Sequence, residues 1–159
     1  MGHRSGRTRE EPMPQSLSLV IVHLVFSTKN RVPCLTQQIT EELYPYLATI
    51  SRNAGCECYR IGGMPDHVHL AIRLSRTVTI ADLVEELKTT SSKWLKSRSP
   101  HFAWQRGYGV FSIAVRDLEA LIAYIDDQDR HHRNDTFQDE LRGLLATYGI
   151  EYDERYVWD

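Results

Sequence analysis

One strongly apolar run, residues 17–28 (LSLVIVHLVFST), constrains the fold more than any other segment of this chain. It is rich in β-branched residues, and its apolar side chains fall on both faces of an extended strand. Such a strand is stable only inside a sheet that other elements cover on both sides. The run is also too short to cross a bilayer, which takes about 20 apolar residues. It therefore predicts a central strand in a layered domain and no membrane span.

The chain has the length and composition of one globular domain, with 159 residues, 42% of them apolar and 25% charged. A chain of this length buries roughly 68–70% of its unfolded surface, so it needs no disulfide or metal to fold. Cys34, Cys56 and Cys58 are odd in number and lack the C-x-x-C spacing, which indicates reduced thiols and a cytoplasmic protein. Residues 1–15 are polar and predict a disordered extension, which leaves residues 16–159 as the domain.

The net charge of −2 hides an uneven distribution of charge along the chain. Residues 1–116 carry 15 basic and 9 acidic side chains, whereas residues 117–159 carry 4 basic and 12 acidic ones. The near-neutral average therefore does not exclude a nucleic-acid-binding protein, because the first segment alone has an excess of +6. We expect any DNA-binding surface to lie before Arg116.

Changes in hydrophobic periodicity predict four strands and four helices. The predicted strands are residues 17–28, 56–61, 67–74 and 108–115, and residues 62–66 (GGMPD) form a hairpin connector. The predicted helices are residues 36–53, 79–97, a third that Asp117 caps and that carries residues 118–131, and about 137–148. The order β-α-β-β-α-β followed by helices predicts an α+β fold, namely a ferredoxin-like βαββαβ antiparallel sheet with additional C-terminal helices.

Two histidines lie on the same face of the third predicted strand. In His67-Val68-His69 the period of two places the imidazoles on one side, about 6.5–7 Å apart along the strand. Neutral imidazole is the commonest metal ligand, so the pair is a candidate metal site. The same pattern also occurs on ordinary polar strand faces, and the motif alone does not separate the two alternatives.

A second candidate group lies on the third predicted helix. Tyr124, Gln128 and His131 follow one another at i, i+4 and i+7, so they share a helix face at the edge of the apolar stripe. A tyrosine at such an edge is often only a surface side chain with a polar tip. Alternatively, Tyr124 is a nucleophile, with Gln128 as a neutral oxygen ligand one turn away. In that case the proton acceptor is the ion, His131 or bulk water.

Several ordered blocks resemble one known family. The blocks are residues 25–31 (VFSTKNR), 64–70 (MPDHVHL), 104–112 (WQRGYGVFS), 124–128 (YIDDQ) and 148–158 (YGIEYDERYVW). Together they resemble the single-tyrosine transposases of the HUH nuclease superfamily, which include insertion-sequence transposases and REP-associated tyrosine transposases. The resemblance runs from about Leu17 to Asp159.

The resemblance implies a complete catalytic apparatus. Tyr124 would attack single-stranded DNA and form a 5′-phosphotyrosine link, and one Mg²⁺ or Mn²⁺ per active site would be held by His67, His69 and Gln128. It also implies hairpin-containing element ends as substrate, strand transfer in DNA transposition, and a homodimer. In that dimer the tyrosine helix of one subunit would serve the histidine strand of the other.

Basic side chains in the first segment are candidate DNA contacts. The candidates are Lys29, Arg31, Lys88, Lys93 and Arg106, with Trp94, Phe102 or Trp104 to stack on unpaired bases. Three other functions are weighed against a mobile transposase. They are a domesticated REP-associated enzyme acting on palindromic DNA, a catalytically silent nucleic-acid-binding module, and a phosphoesterase that uses water instead of Tyr124.

Overall fold

The computed structural model describes residues 14–132 and 134–159, so the predicted extension at residues 1–15 lies almost wholly outside the described residues. The strands are β1 (Ile21–Ser27), β2 (Glu57–Met64), β3 (His67–Arg73) and β4 (Gly109–Ile113). The helices are α1 (Gln37–Asn53), α2 (Ile80–Lys96), α3 (Leu118–Asp126), α4 (Gln128–His131) and α5 (Phe137–Thr147). None of the helices within the described ranges is long and apolar enough to span a membrane.

The four strands form one antiparallel sheet in the order β2-β3-β1-β4. With α1 between β1 and β2 and α2 between β3 and β4, this is the ferredoxin-like arrangement, and the predicted fold class is confirmed. All seven residues of β1 are buried, as expected of a strand that is covered on both faces. The three C-terminal helices are the predicted additions to the sheet.

The two faces of the sheet carry separate cores. Val22, Leu24 and Phe26 of β1 belong to the larger core, which also contains apolar side chains of α1 and α2. On the opposite face, Val25 packs with Phe137, Leu141 and Leu145 of α5. Burying one such side chain stabilises the folded protein by about 1.5–3 kcal/mol. Because three of these side chains belong to α5, this helix contributes much of the packing on the second face.

The helix boundaries follow ordinary capping chemistry. Thr36 and Thr79 precede α1 and α2, and their side chains accept hydrogen bonds from the amides of Ile39 and Asp82. Gly55 follows α1 with a φ of 82°, a conformation that glycine adopts without steric cost. Pro45 lies inside α1 without ending it.

The predicted hairpin connector is wrong. Gly62 and Gly63 belong to β2, and only Pro65 and Asp66 form the turn. These glycines serve close packing instead, since a Cβ on Gly62 would lie 2.7 Å from the carbonyl oxygen of Ile125 in α3. A Cβ on Gly63 would lie 2.2 Å from the carbonyl oxygen of His67.

The predicted third helix is also wrong in two respects. Among the described contacts, the Asp117 side chain makes no capping hydrogen bond, because a 3₁₀ turn at Val115–Asp117 leads into α3. The helix is then interrupted at Asp127, whose φ and ψ are −104° and 23°. Tyr124 therefore lies on α3 and Gln128 on the separate short helix α4.

Candidate active site

Strand β3 points His67 and His69 toward the face of the sheet that α3 and α5 cover. Both imidazoles are completely buried, and their ring centroids are 5.0 Å apart. The predicted placement on one strand face is confirmed. This face is a buried polar site and not a solvated strand surface, so its polar atoms need partners inside the protein.

Glu140, which sequence reasoning missed, supplies the central partner. Its Oε1 atom lies 2.9 Å from His69 Nε2, 3.3 Å from His67 Nε2 and 3.1 Å from His132 Nε2. Burial raises the pKa of this carboxyl, but hydrogen bonds from His67, His69 and Tyr124 outweigh burial and hold the pKa far below its usual range. The carboxylate is therefore ionised and lies among three imidazoles.

The hydroxyl of Tyr124 donates a hydrogen bond to Glu140 Oε2. The ring of Tyr124 also lies 5.7 Å from the ring of His69 in an edge-to-face arrangement. Burial and the Glu140 carboxylate both raise the pKa of the Tyr124 hydroxyl. Tyr124 thus contacts the histidine site of its own chain.

Gln128 joins the same network through both ends of its amide. Its Oε1 atom accepts hydrogen bonds from His67 Nε2 and His132 Nε2, each at 3.1 Å, and its Nε2 donates to Glu140 Oε2 at 3.2 Å. The interruption at Asp127 does not remove Gln128 from the site. The side chain of His131, the third residue of the predicted helix face, lies outside what the structure describes.

Each strand histidine has a second partner at its Nδ1 atom. His67 Nδ1 donates to Asp66 Oδ1 at 2.7 Å, and His69 Nδ1 lies 2.7 Å from His23 Nε2. Burial lowers the pKa of His67, but Asp66 and Glu140 outweigh burial and raise it to about 9. Burial dominates for His69, whose pKa is lowered, and lowers the pKa of His23 to about 3.

The donor atoms fit a divalent metal ion. Four side chains each offer one ligand atom, and these four atoms lie within 4.8 Å of one another. The side chains are those of His67, His69, His132 and Glu140. Imidazole nitrogens and a carboxylate are common protein ligands of divalent metals, and the ionised Glu140 would offset part of the ion's charge. Gln128 Oε1 is in contact with two of these imidazoles and is a further neutral donor.

Four of the five predicted DNA contacts line two adjoining concave surfaces, and Arg31 lines neither. Lys29 and Arg106 line a cavity with Trp104 and Trp158, and Lys88, Lys93 and Arg106 line a neighbouring one that also includes Trp104. We call the two together the basic groove. Gln105, between Trp104 and Arg106, connects the groove to the site, because its Oε1 accepts the amide of Ser27, whose Cα pairs with that of His67.

Lys88 already has partners within the protein. Its Nζ atom donates to the carbonyl oxygens of Gln105, Arg106 and Gly107 at 2.8, 3.2 and 2.6 Å. Burial lowers the pKa of its ammonium group to about 8. Lys88 therefore shapes the wall of the basic groove.

The predicted stacking aromatics are mostly core residues. Phe102 and Trp104 are buried in the larger core, which favours the core alternative for both, although Trp104 also lines the basic groove. Trp94 is only partly buried and carries the Arg98 guanidinium 3.8 Å from its ring centroid.

One sequence signal pointed to Glu140. It lies three residues after Phe137 and one before Leu141, so an acidic side chain falls within the apolar stripe of α5. A carboxylate on a buried helix face needs partners of opposite charge or hydrogen-bond donors. His23 and His132 carry no comparable signal, since only the folded chain brings them to His67 and His69.

Known proteins are similar to this chain in sequence and in fold. Residues 16–128 match the profile of the family described as IS200-like transposases. The ISDra2 transposase TnpA of Deinococcus radiodurans is 25% identical over 114 residues, which cover 67% of this chain and 81% of that protein.

Two solved structures are also similar. A crystal structure from Deinococcus radiodurans R1 assigned as a transposase has a TM-score of 0.59 and 25% identity, covering 74% of this chain and 97% of that one. A REP-associated tyrosine transposase bound to a REP hairpin has a TM-score of 0.59 and 18% identity, covering 84% of this chain and 87% of that one, and supports the fold alone. Because the family profile covers well over half of the sequence, the chain belongs to the IS200-like transposase family.

Proposed function

We propose that this transposase cuts and rejoins single-stranded DNA through a covalent bond to Tyr124. The observation that carries the proposal is the meeting of the Tyr124 hydroxyl with a buried set of metal-binding donors in one chain. A tyrosine at a helix edge needs no such neighbours if it serves only packing. A nucleophilic tyrosine needs both an activating group and a place for the phosphate.

The first step is a transesterification. The Tyr124 oxygen forms a bond to the scissile phosphorus, the bond from phosphorus to the 3′ oxygen breaks, and the leaving oxygen takes a proton to become a free 3′-hydroxyl. The Tyr124 hydroxyl donates a hydrogen bond to Glu140 Oε2, which orients its oxygen, and the proton that Tyr124 gives up balances the one that the 3′ oxygen takes. The 5′-phosphotyrosine keeps the energy of the phosphodiester, and a 3′-hydroxyl of another strand can displace Tyr124 in a second transesterification.

His67 and His69, together with Glu140 and either Gln128 or His132, would hold one divalent ion. When bound, the ion supplies Lewis-acid polarisation of a non-bridging oxygen of the scissile phosphate. Two or three imidazole nitrogens suit Mn²⁺ better than Mg²⁺, which prefers an all-oxygen shell. We therefore expect tighter binding of Mn²⁺ than of Mg²⁺.

The basic groove would bind the DNA strand beside the cut. Lys29, Lys93 and Arg106 face the groove, and we propose that they contact phosphates while Lys88 supports the groove wall. Arg31 is a further candidate, because its guanidinium lies 5.9 Å from the ring centroid of Trp158, which lines the groove. Its φ of 56° is unusual for a residue with a side chain and is typical of functional loops.

Hairpin-containing ends of a mobile element are the proposed substrate. One protein of this fold is bound to a REP hairpin in its solved structure, which supports hairpin recognition on this scaffold. The same likeness favours the domesticated REP-associated enzyme as the second candidate function. The two differ in whether the enzyme joins its own flanking element ends or cuts palindromes elsewhere.

An oligonucleotide labelled at one end tests the chemistry. With Mn²⁺ and a 3′-labelled strand, we expect a covalent protein–DNA adduct on a denaturing gel, whereas a 5′-labelled strand should release a free fragment. Tyr124→Phe should abolish the adduct, and Tyr156→Phe, at a tyrosine that is 64% exposed, should leave it unchanged. Cleavage by Tyr124→Phe without an adduct would favour the phosphoesterase, and binding without cleavage by the wild type would favour the silent module.

Mixing two inactive variants tests how the site assembles. The resemblance implies a homodimer with exchanged tyrosine helices, but the single chain already places Tyr124 beside His69. We propose that each chain can form its own site. A mixture of Tyr124→Phe and His67→Ala should then stay inactive after subunit exchange, whereas recovered activity would establish the exchanged dimer.

A further inference from the structure

His23 is a buried titratable side chain that the proposed chemistry does not use. It lies in the middle of β1, is 3% exposed and stacks on His69, with ring centroids 4.9 Å apart and an interplanar angle of 26°. The ring centroids of Phe111 and Tyr124 lie 6.1 and 5.9 Å from that of His23. An imidazole held this firmly among aromatic rings has a fixed orientation.

The contact between His23 and His69 bears on which nitrogen of His69 can bind an ion. His69 Nε2 faces the metal-binding donors, and His69 Nδ1 lies 2.7 Å from His23 Nε2. A neutral imidazole carries a single N–H. Without an ion, Nε2 carries this hydrogen and donates it to Glu140 Oε1, so Nε2 has a free lone pair for an ion only after the hydrogen is on Nδ1. That hydrogen then needs an acceptor, and His23 Nε2 is in position to accept it.

His67 has the same arrangement with a different acceptor. Its Nδ1 atom donates to the carboxylate of Asp66 at 2.7 Å, a familiar arrangement in metal sites. The acceptor for His69 is a neutral nitrogen because His23 is enclosed between the sheet and α3, where an isolated charge is costly. The two histidines are thus oriented by different elements, His67 by a turn residue and His69 by the neighbouring strand.

We propose that His23 is a positioning residue that holds the ring orientation of His69 and accepts its Nδ1 hydrogen when Nε2 binds the ion. The inference rests on the proposed metal site at His67 and His69. Outer partners of metal-binding histidines typically change metal affinity by about 10- to 100-fold when they are removed. We expect an effect of this size from a substitution that removes the acceptor.

Mn²⁺ affinity, measured by electron paramagnetic resonance of free Mn²⁺, tests the inference without any DNA. His23→Leu should weaken binding about 10- to 100-fold, whereas His23→Gln should stay within about threefold of wild type because its amide oxygen replaces the acceptor. Val22→Ala removes a buried side chain from the opposite face of the same strand, and should lower stability but leave the affinity unchanged.

The outcomes separate this inference from the function on which it rests. If His69→Ala loses Mn²⁺ but His23→Leu binds like wild type, the role of His23 is refuted and the metal site stands. Equal losses in His23→Leu and His23→Gln would refute an acceptor role and indicate packing alone. Wild-type protein that binds no Mn²⁺ would overturn both proposals.

Nitrogen-15 NMR of the wild-type protein saturated with Mg²⁺ provides a second measurement, which remains available if His23→Leu does not fold. We expect the hydrogen of His69 on Nδ1, and a hydrogen on Nε2 would refute the inference.

Discussion

A single methyl group at Gly62 should slow DNA cleavage by displacing the tyrosine helix. A Cβ at this position would lie 2.7 Å from the carbonyl oxygen of Ile125 and 2.8 Å from its Cγ2 atom, whereas ordinary contacts begin at 3.4 Å. Helix α3 must therefore move away from β2 by about 0.7 Å. Tyr124 is the neighbour of Ile125, so its hydroxyl moves with the helix.

The size of the effect follows from this displacement. Misplacing a reacting group by about 1 Å can cost about 100-fold in rate, so we expect Gly62→Ala to slow adduct formation by about tenfold or more. Overpacking of this kind costs about 1–3 kcal/mol of stability, from which the restricted unfolded chain of alanine recovers up to about 1 kcal/mol. Single-turnover adduct formation and urea denaturation measure the two effects.

Gly143→Ala is the matched control. Gly143 lies in α5, and apart from its chain neighbours and the backbone of its own helix, no heavy atom of the described residues comes within 4 Å of a Cβ placed there. Alanine in a helix interior is favoured over glycine by about 0.5–1 kcal/mol, so this variant should gain stability, in contrast to the loss expected of Gly62→Ala. A Gly62→Ala protein with wild-type rate and stability would refute the reasoning.

Three further predictions concern other contacts of the site and its surroundings. Glu140→Ala should weaken Mn²⁺ binding at least about tenfold, since it removes the carboxylate donor, and unchanged affinity in a Mn²⁺ titration would exclude Glu140 as a ligand. Lys88→Met should lower the free energy of unfolding in urea by about 1.5–3 kcal/mol, because three carbonyl oxygens lose a charged donor. The folded-state pKa of His23, about 3, lies below its ordinary 6.5, so its contribution to stability is present above pH 6.5 and is lost as the pH falls toward 3. In metal-free protein, the free energy of unfolding of the wild type should therefore fall by about 1.4 kcal/mol per pH unit, relative to that of His23→Gln, as the pH drops below 6.5. Parallel curves of unfolding free energy against pH for the two proteins would contradict this.

Regular patterns in the sequence were sufficient to predict the sheet and the histidine pair. The double-sided apolar run predicted the central strand β1, and the period of two placed His67 and His69 together because strand geometry is local. The first residues of α1 and α2 could be predicted from Thr36 and Thr79 for the same reason, since an N-cap acts within one helical turn. These are features that a few neighbouring residues determine.

The parts of the site that depend on distant contacts could not be predicted in this way. Gly62 has the composition of a turn residue, and only the approach of Ile125 shows why a side chain is excluded there. Lys88 has the sequence character of a DNA contact, yet the backbone of residues 105–107 takes up its hydrogen bonds. Glu140 is 71 residues from His69, and no local rule connects them.

The structure divides the candidate site between two stretches of chain. His67, His69, Tyr124 and Gln128 lie within residues 16–128, the part that matches the family profile, whereas Glu140 follows on α5. Helix α5 reaches the site from outside the ferredoxin-like sheet, so substitutions along it can alter the carboxylate without changing the strand beneath. At the proposed metal site, exchanging this one helix would change the carboxylate donor, while Tyr124 and the two strand histidines would keep their positions in the chain.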